Sequence, residues 1–263
     1  MDILKINCEK VCDYLVSFLK EEVSKIGFNS VIFGLSGGLD SSLVAFLCKM
    51  AFGRNNTYGI ILPYKDTPKE SVDHAYLIGR TLGIRHLRFN ITPQIDYYYK
   101  NFPQATKLRK GNKMARERMS ILYDLSSHFK SLVVGTSNKS EIYLGYGTLH
   151  GDTAYDINPV ADLYKTQIYQ LSEYLKIPEE IRIKKPSAEL WEGQTDEEEL
   201  GFSYEVADKV LFYYFEKNMK QQDIMKEIKI DERTFLKIIE RVKKYEFKRK
   251  PPLIAKIPDE IKY

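Results

Sequence analysis

The stretch from Val31 to Ser42, with the sequence Val-Ile-Phe-Gly-Leu-Ser-Gly-Gly-Leu-Asp-Ser-Ser, constrains this chain more than any other segment. Its first five residues are mostly apolar and predict a short buried strand. A turn of one serine and two glycines then breaks the strand. From Asp40 onward, the apolar residues fall on one face of a helix; they are Leu43, Val44, Leu47, Met50 and Ala51.

A strand, a glycine turn and a helix start together make a site for an anion. Glycines allow backbone N–H groups to approach a phosphate closely, and the helix N-terminus adds partial positive charge. Ser36, Ser41 and Ser42 supply further hydroxyl donors. The carboxylate of Asp40 repels phosphate, so its presence suggests a divalent cation that bridges to the phosphates.

Two common phosphate motifs do not match this stretch. The P-loop has four residues between its glycines and ends in Gly-Lys-Ser/Thr, and the dinucleotide fingerprint is G-x-G-x-x-G. The run S-G-G-x-D-S resembles instead the loop of the N-type ATP pyrophosphatases, which grip the β- and γ-phosphates and leave the α-phosphate open to attack. The alternative interpretation is an ordinary glycine turn.

Composition limits the class of protein. The chain has 263 residues, of which 43% are hydrophobic, and its net charge of +4 does not require a nucleic-acid partner. Cys8, Cys12 and Cys48 lack metal-binding spacing, and unpatterned cysteines suit a reducing cytosol. The sequence shows no signal peptide and no apolar run long enough for a membrane span. We therefore expect a cytoplasmic protein without nucleic-acid or membrane partners.

Helix and strand patterns alternate along the first part of the chain, which predicts an α/β fold with a doubly wound, mostly parallel sheet and flanking helices. We expect a single domain over 1–263, with a core over about 10–180 and a helical C-terminal part over about 195–250. The predicted elements are helix 3–26, strands 31–35, 58–63, 85–91 and 132–135, helix 69–82, a helix opening at Gly111 and a helix from Lys165 to Pro178. Residues 97–109 are expected to form a mobile flap, and 145–166 and 184–196 are expected to be irregular.

Two strand exits, 36–42 and 136–141, should converge, because ligands bind beyond the carboxyl ends of parallel strands. Glu141 can then share a cation with Asp40. Asn112 and Arg116 are four residues apart and share a helix face, whereas Arg118 points elsewhere.

Taken together, the motifs resemble the ammonia-dependent NAD synthetases, in that family's order and over roughly residues 10–250. Beyond the glycine turn they are Gly111-Asn112, Ala115–Met119, Gly135–Glu141, Gly145–Thr148, Gly151-Asp152, Asp162–Thr166, Lys185–Trp191, Gln194–Asp196 and Glu199–Gly201. The resemblance implies a Rossmann-like N-type ATP pyrophosphatase fold and a ligase. In that family the nicotinate carboxylate of deamido-NAD attacks the ATP α-phosphate, pyrophosphate leaves, and ammonia converts the adenylate to NAD and AMP.

The resemblance also implies roles for individual residues. Asp40 and Lys165 would be catalytic, and Asp40 and Glu141 would bind Mg²⁺. The implied ATP contacts are Gly34, Leu35, Ser36, Gly37, Gly38, Asp40, Ser41, Ser42, Thr136, Lys165 and Ser187. The implied deamido-NAD contacts are Asn112, Arg116, Arg118, Asp152, Asp156 and Lys248. The family is a homodimer with deamido-NAD bound near the subunit interface.

The chain departs from the family pattern at two positions. Leu149 stands where many members have a lysine, and Phe247 stands where many have a histidine before the Lys248-Arg249 pair. A lost cation and a lost imidazole would alter contacts to the dinucleotide, so neither residue belongs to the predicted site.

Three other functions compete with this interpretation. Another ligase or a tRNA-modifying enzyme with the same loop would show an RNA-binding surface or zinc cysteines. A glutamine-dependent NAD synthetase would need an additional amidase domain. Residues 224–242 can also be read as a helix-turn-helix with Asp231 at the turn, although helix pairs are common in protein cores and the net charge is modest.

Overall fold

A parallel four-stranded sheet lies at the centre of the computed structural model, which describes residues 3–187 and 193–263. The strands are β1 (Val31–Gly34), β2 (Thr57–Ile61), β3 (Arg85–Arg88) and β4 (Leu132–Val133). Their order in the sheet is β3-β2-β1-β4. The chain therefore runs outward from β1 to β3 and then crosses back to place β4 on the other side of β1, which creates a topological switch point between β1 and β4. This arrangement confirms the predicted fold class.

Thirteen α-helices are described around this sheet. The first seven are α1 (Cys8–Lys25), α2 (Leu39–Phe52), α3 (Lys69–Leu82), α4 (Thr92–Tyr99), α5 (Lys107–Phe129), α6 (Lys139–Leu144) and α7 (Lys165–Tyr174). They are followed by α8 (Glu179–Arg182), α9 (Asp196–Leu200), α10 (Tyr204–Leu211), α11 (Gln221–Ile228), α12 (Glu232–Lys244) and α13 (Asp259–Lys262). A π-helical turn covers Phe212–Glu216, and short 3-10 helices cover Arg54–Asn56 and Glu246–Arg249.

The pleat of β1 divides the core between two faces of the sheet. Val31 and Phe33 pack with α1, α2, α3 and α7 in one apolar cluster. Ile32 points to the other face, where it packs with side chains from α4 and α5. Because both faces are covered, β1 and β2 are almost wholly apolar, as is typical of strands inside a parallel sheet.

The C-terminal helices build a third apolar cluster, which includes Ile224, Phe235 and Ile238 and also Leu144 of α6 and Tyr164 at the start of α7. The helix-turn-helix pattern therefore corresponds to a real helix pair, α11 and α12, with Asp231 capping α12. Its apolar residues are buried in this cluster. The division into one domain stays a prediction.

Several element boundaries differ from the sequence prediction. Helix α1 begins at Cys8 and not at residue 3, because the Asn7 side chain accepts a hydrogen bond from the Lys10 N–H and caps it. Met50 is 42% exposed and lies off the buried face of α2. Strand β3 ends at Arg88, three residues early, and β4 is two residues shorter than predicted.

The expected flap over 97–109 is wrong at both of its ends, which are helical. Residues 97–99 belong to α4, whose Ile95 and Tyr99 are buried, and α5 begins at Lys107 because Thr106 caps it, four residues before Gly111. The helix α7 also ends before Pro178. Pro178 is instead the N-cap of the short α8.

The glycine turn packs tightly against α3. Gly37 has a φ of +84°, and a Cβ added there would overlap the carbonyl oxygen of Ser71. Gly27 has a φ of +87° but nothing within 4 Å of an added Cβ. A comparison of substitutions at Gly27 and Gly37 therefore distinguishes the cost of backbone strain from the cost of steric overlap.

We expect Gly27→Ala to cost about 1 kcal/mol of unfolding free energy through backbone strain alone. Gly37→Ala should cost about 2 kcal/mol more, because the methyl group must also displace α3. Urea unfolding of both variants measures the difference. Equal losses would mean that the turn does not need its close approach to α3.

Candidate active site

One hydrogen bond joins the segment that follows β1 to the segment that follows β4. The Asn138 Nδ2 group donates to Asp40 Oδ1 at 2.9 Å, which joins the first turn of α2 to the N-cap of α6 across 98 residues of sequence. The predicted convergence of 36–42 with 136–141 is thus present in the structure. The topological switch point supplies the physical reason, because β1 and β4 are neighbours.

Asn138 is fully buried and caps α6 with a reciprocal pair of bonds. Its Oδ1 accepts from the Glu141 N–H at 3.0 Å, and its own N–H donates to Glu141 Oε2 at 3.3 Å. This capping box fixes Glu141 beside the residue that holds Asp40. One asparagine therefore sets the relative position of both acids.

The Lys165 ammonium lies between these two acids. It forms an ion pair with Asp40, and its Nζ is 3.5 Å from Glu141 Oε1. Lys165 is only 3% exposed. Burial alone would lower its pKa, but the two carboxylates outweigh that effect and hold the pKa of Lys165 above its ordinary value. Burial and the Asp40 charge raise the pKa of Glu141, and Lys165 opposes them.

A third acid, Asp196, completes a buried charged cluster. It is 3% exposed, and its Oδ2 accepts a hydrogen bond from the Tyr204 hydroxyl at 3.1 Å. Within residues 3–187 and 193–263, its Oδ1 has no hydrogen-bond partner. Burial raises the pKa of Asp196, and the charge of Lys165 lowers it. Three acids thus lie around one lysine, and burial raises the pKa of two of them, Glu141 and Asp196.

The glycine turn leaves a helix N-terminus open for a ligand. Gly38 is the N-cap of α2, and no side chain in the described part of the chain caps that helix. Inside the turn, Ser41 donates to the Gly38 carbonyl at 3.0 Å, and its Oγ lies 3.0 Å from that of Ser36. The first-turn N–H groups of α2 are therefore suited to an anion.

A cavity of about 530 Å³ opens at this end of the sheet. That volume suits a ligand of nucleotide size. The predicted site residues that line it are Gly34, Leu35, Ser36, Gly38, Asp40, Ser41, Asn112, Arg118, Thr136, Glu141, Asp152, Ser187 and Lys248. A smaller cavity of about 120 Å³ shares Asp40 and Glu141 with it and is also lined by Lys165 and Asp196.

Four predicted site residues line neither cavity. Gly37 faces α3, and Ser42 is fully buried and donates its hydroxyl to the Gly38 carbonyl at 2.8 Å. Asp156 accepts from the Val133 N–H at 2.9 Å and the Tyr123 hydroxyl at 3.0 Å, so it holds the end of β4.

The fourth residue is Arg116, which is exposed and donates from Nε to the Leu149 carbonyl at 3.1 Å. The two arginines point in different directions, as predicted, because Arg118 donates from Nε to the Leu62 carbonyl at 3.0 Å, beyond the end of β2. Contrary to the predicted pairing, however, Arg118 and not Arg116 shares the cavity wall with Asn112.

The remaining polar wall of the cavity is tied to the loop after α6. The Asp152 Oδ1 accepts from the Thr148 N–H at 2.9 Å, and the Thr148 hydroxyl donates to Asn112 Oδ1 at 2.8 Å. Lys248 Nζ donates to the carbonyls of Gly145 and Gly147 at 2.8 and 2.6 Å. These bonds connect α5, the loop and the C-terminal segment around one wall.

Some predicted features take no part in this geometry. Leu149 and Phe247 line neither cavity, and Phe247 is 58% exposed. Residues 188–191 of the predicted motif 185–191 lie outside the described residues.

Among the described residues, no group of three or more His, Cys, Asp or Glu side chains has the geometry of a metal site. No described helix is both long and apolar enough to cross a membrane.

Sequence reasoning did not select several residues that build the site. Asn138 and Glu141 match the spacing of a capping box, so that signal was available in the sequence. Asp196 and Glu199 lie in motifs that the resemblance covers, but the resemblance gave neither of them a role. Glu199 accepts a hydrogen bond from the Tyr146 hydroxyl at 2.9 Å. No sequence signal distinguishes these acids from solvated ones.

Comparison with known proteins finds one family over most of the chain. The sequence model of the NAD synthase family matches residues 11–252. The NH(3)-dependent NAD(+) synthetase of Fusobacterium nucleatum is 50% identical over 98% of this chain and 99% of its own length.

Two solved structures share the fold over nearly their whole length. An NH3-dependent NAD synthetase from Campylobacter jejuni in complex with the nitrate ion superposes with a TM-score of 0.81 at 33% identity, over 95% of this chain and 100% of that one. An NMN synthetase from Francisella tularensis superposes with a TM-score of 0.85 at 30% identity, over 96% and 100%.

We expect Asn138→Ala to cost about 2–3 kcal/mol of unfolding free energy, because it removes a helix cap and leaves buried polar groups of Asp40 and Glu141 without their partner. Asn7→Ala is the matched control: Asn7 also caps a helix, but it is exposed, and its loss should cost about 1 kcal/mol. Urea denaturation measures both. A loss at Asn138 no larger than that at Asn7 would contradict its role as the joint between the two strand exits.

Proposed function

The chain belongs to the NAD synthase family, and on that premise we propose how its own residues carry out the family's reaction. The protein is a ligase that forms a C–N bond, the ATP-dependent amidation of deamido-NAD with ammonia. One observation carries the residue assignment: an open helix N-terminus and two convergent acids line one nucleotide-sized cavity, and a buried lysine pairs with both acids from the smaller cavity beside it.

The glycine turn binds the ATP phosphates in this proposal. Ser36, Gly38 and Ser41 line the cavity. The N–H groups at the start of α2 can donate to phosphate oxygens, and the hydroxyls of Ser36 and Ser41 can do so by exchanging the bonds that they make inside the turn. Thr136 and Ser187 lie on the same wall. Gly37 and Ser42 serve the shape of the turn, since one packs on α3 and the other is buried.

Asp40 and Glu141 are the proposed Mg²⁺ ligands. Mg²⁺ is usually held by one or two carboxylates together with waters and substrate phosphates, so two acids beside a phosphate site suffice. The carboxyl groups of Asp40 and Glu141 beside the phosphate site, and the orphaned Oδ1 of Asp196, fit a site that takes up an additional cation. When bound, the ion would neutralise charge on the phosphates and polarise them.

Lys165 is proposed to stabilise the negative charge that develops on the phosphates as pyrophosphate leaves. Its ammonium is held by Asp40 and Glu141, and its raised pKa keeps it charged at neutral pH. Preorganised charge in a site shielded from water typically supplies the largest share of such catalysis. The fixed position of Lys165 therefore matters as much as its charge.

The opposite wall of the cavity is proposed to hold the deamido-NAD. Asn112, Arg118 and Asp152 are oriented by bonds to Thr148 and Leu62, which fixes them before the substrate arrives. The nicotinate carboxylate attacks the α-phosphate, and ammonia then replaces AMP at the acyl carbon. Because ATP supplies the leaving group, the protein contributes mainly positioning and charge stabilisation.

A homodimer with the dinucleotide near its interface is also proposed, as is a cytoplasmic location. The tail after Pro252 exposes Leu253, Ile254 and Tyr263 almost completely. Large exposed apolar side chains grouped in one segment are characteristic of surfaces that meet another protein. The dimer would cover them.

The direct test mixes the protein with MgATP, ammonium and deamido-NAD and follows NAD and pyrophosphate. Asp40→Asn should lower kcat/KM by about 10²-fold or more, because the amide loses the charge that holds both the cation and Lys165. Asp13→Asn, an exposed acid on α1, is the matched control and should keep full activity. Circular dichroism checks that both variants fold. Full activity in folded Asp40→Asn would remove the proposed role.

One observation favours a second substrate, nicotinate mononucleotide. The structure with the higher TM-score of the two described above is an NMN synthetase. Leu149 lacks the cation that many dinucleotide-using relatives carry, and the exposed Phe247 lacks the imidazole. By the family resemblance, both changes would alter contacts to the dinucleotide and leave the ATP half of the site unchanged.

We expect the wild-type protein to amidate the mononucleotide at a rate within about tenfold of that for deamido-NAD, since the reacting carboxylate and the phosphate site are the same. Leu149→Lys should lower KM for deamido-NAD severalfold and leave the mononucleotide unaffected. Steady-state kinetics with both substrates measures this. Absence of mononucleotide turnover would restrict the protein to deamido-NAD.

A further inference from the structure

Asp208 of α10 is a fully buried acid that lines neither cavity. Its Oδ1 accepts from the Ser140 hydroxyl at 2.5 Å, and its Oδ2 accepts from the Thr166 N–H at 2.9 Å. Burying a carboxylate is costly unless it is fully bonded. The presence of a buried acid at this position therefore indicates a role that an apolar residue could not fill.

The bonds of Asp208 reach the two helices that carry the active-site charges. Ser140 precedes Glu141 in the first turn of α6, and Thr166 follows Lys165 in the first turn of α7. The Ser140 Oγ in turn accepts from the Lys165 N–H at 2.8 Å. A single carboxylate thus connects the side chain of Ser140, the residue before Glu141, with the backbone N–H of Thr166, the residue after Lys165.

The start of α7 depends on this connection. Its N-cap residue, Tyr164, makes no side-chain capping bond. The N–H groups of Lys165 and Thr166 are among the first four of the helix, which have no partner inside it. Ser140 and Asp208 accept them. The negative charge also lies near two helix N-termini, where it is favourable.

We propose that Asp208 is a positioning residue for the reaction, which holds Lys165 and Glu141 at their working separation from outside the site. This inference rests on the proposed function of those two residues. Asp208 belongs to the C-terminal helices, so it makes the charged cluster dependent on the packing of that part of the chain. It touches no substrate and contributes through the geometry of the two first turns.

The test compares Asp208→Asn and Asp208→Leu with Val210→Ala. Val210 lies on the same helix and is equally buried, but it packs only in the apolar cluster. Both Asp208 variants are assayed well below their melting temperatures, where they are folded. We expect kcat to fall about tenfold or more in each, since small displacements of catalytic groups slow the reaction strongly. KM for deamido-NAD should change less than twofold. Val210→Ala should lower the melting temperature and leave kcat within twofold.

Hydrogen exchange gives a second measurement that needs no activity. The amides of Lys165 and Thr166 should exchange at least tenfold faster in Asp208→Leu than in Val210→Ala. If the wild type forms no NAD, the proposed function fails, and the exchange data still report on the connection. If the wild type is active and both Asp208 variants keep its kcat, the positioning role is overturned, whatever their stability.

Discussion

The ion pair of Lys165 with Asp40 and Glu141 is the interaction on which the rest of the site depends. Breaking a buried pair leaves an uncompensated charge, which is strongly destabilising. The three residues come from α7, α2 and α6, so the pair forms only when all three helices are correctly placed. In the proposed function, this pair also holds the ammonium where negative charge on the phosphates has to be neutralised.

The sheet topology makes this meeting possible. With β4 beside β1, the loops that leave them lie next to each other, and Asn138 joins them by a hydrogen bond to Asp40. A different strand order would separate the two acids by at least one strand spacing, about 4.8 Å. The glycine turn packs against α3, and this packing directs the N-terminus of α2 at the cavity.

The C-terminal helices do more than cover the core. They supply Asp196 and Tyr204 to the charged cluster, and they bury Asp208 against the starts of α6 and α7. Lys248 closes the far wall by binding two carbonyls of the loop after α6. The helical part is therefore joined to the site by polar bonds as well as by apolar packing.

The sequence by itself determined the parallel α/β fold, the glycine turn and the meeting of Asp40 with the segment that holds Glu141, because apolar periodicity, turn residues and ordered motifs are local signals. It failed where the signal was weak or depended on distant partners. The segment 97–109 looked irregular, yet Thr106 caps α5 and Tyr99 is buried under the sheet.

Only the tertiary structure decided which polar residues line the cavity and which stabilise the backbone around it. Asp152 and Asp156 are equivalent in sequence, but one lines the cavity and the other binds the backbone of β4. Asp196 and Asp208 are buried by packing, which the sequence analysis did not predict for either of them. The physical reason is that burial and partnership of a charge are set by contacts between residues far apart in the chain, which no local pattern encodes.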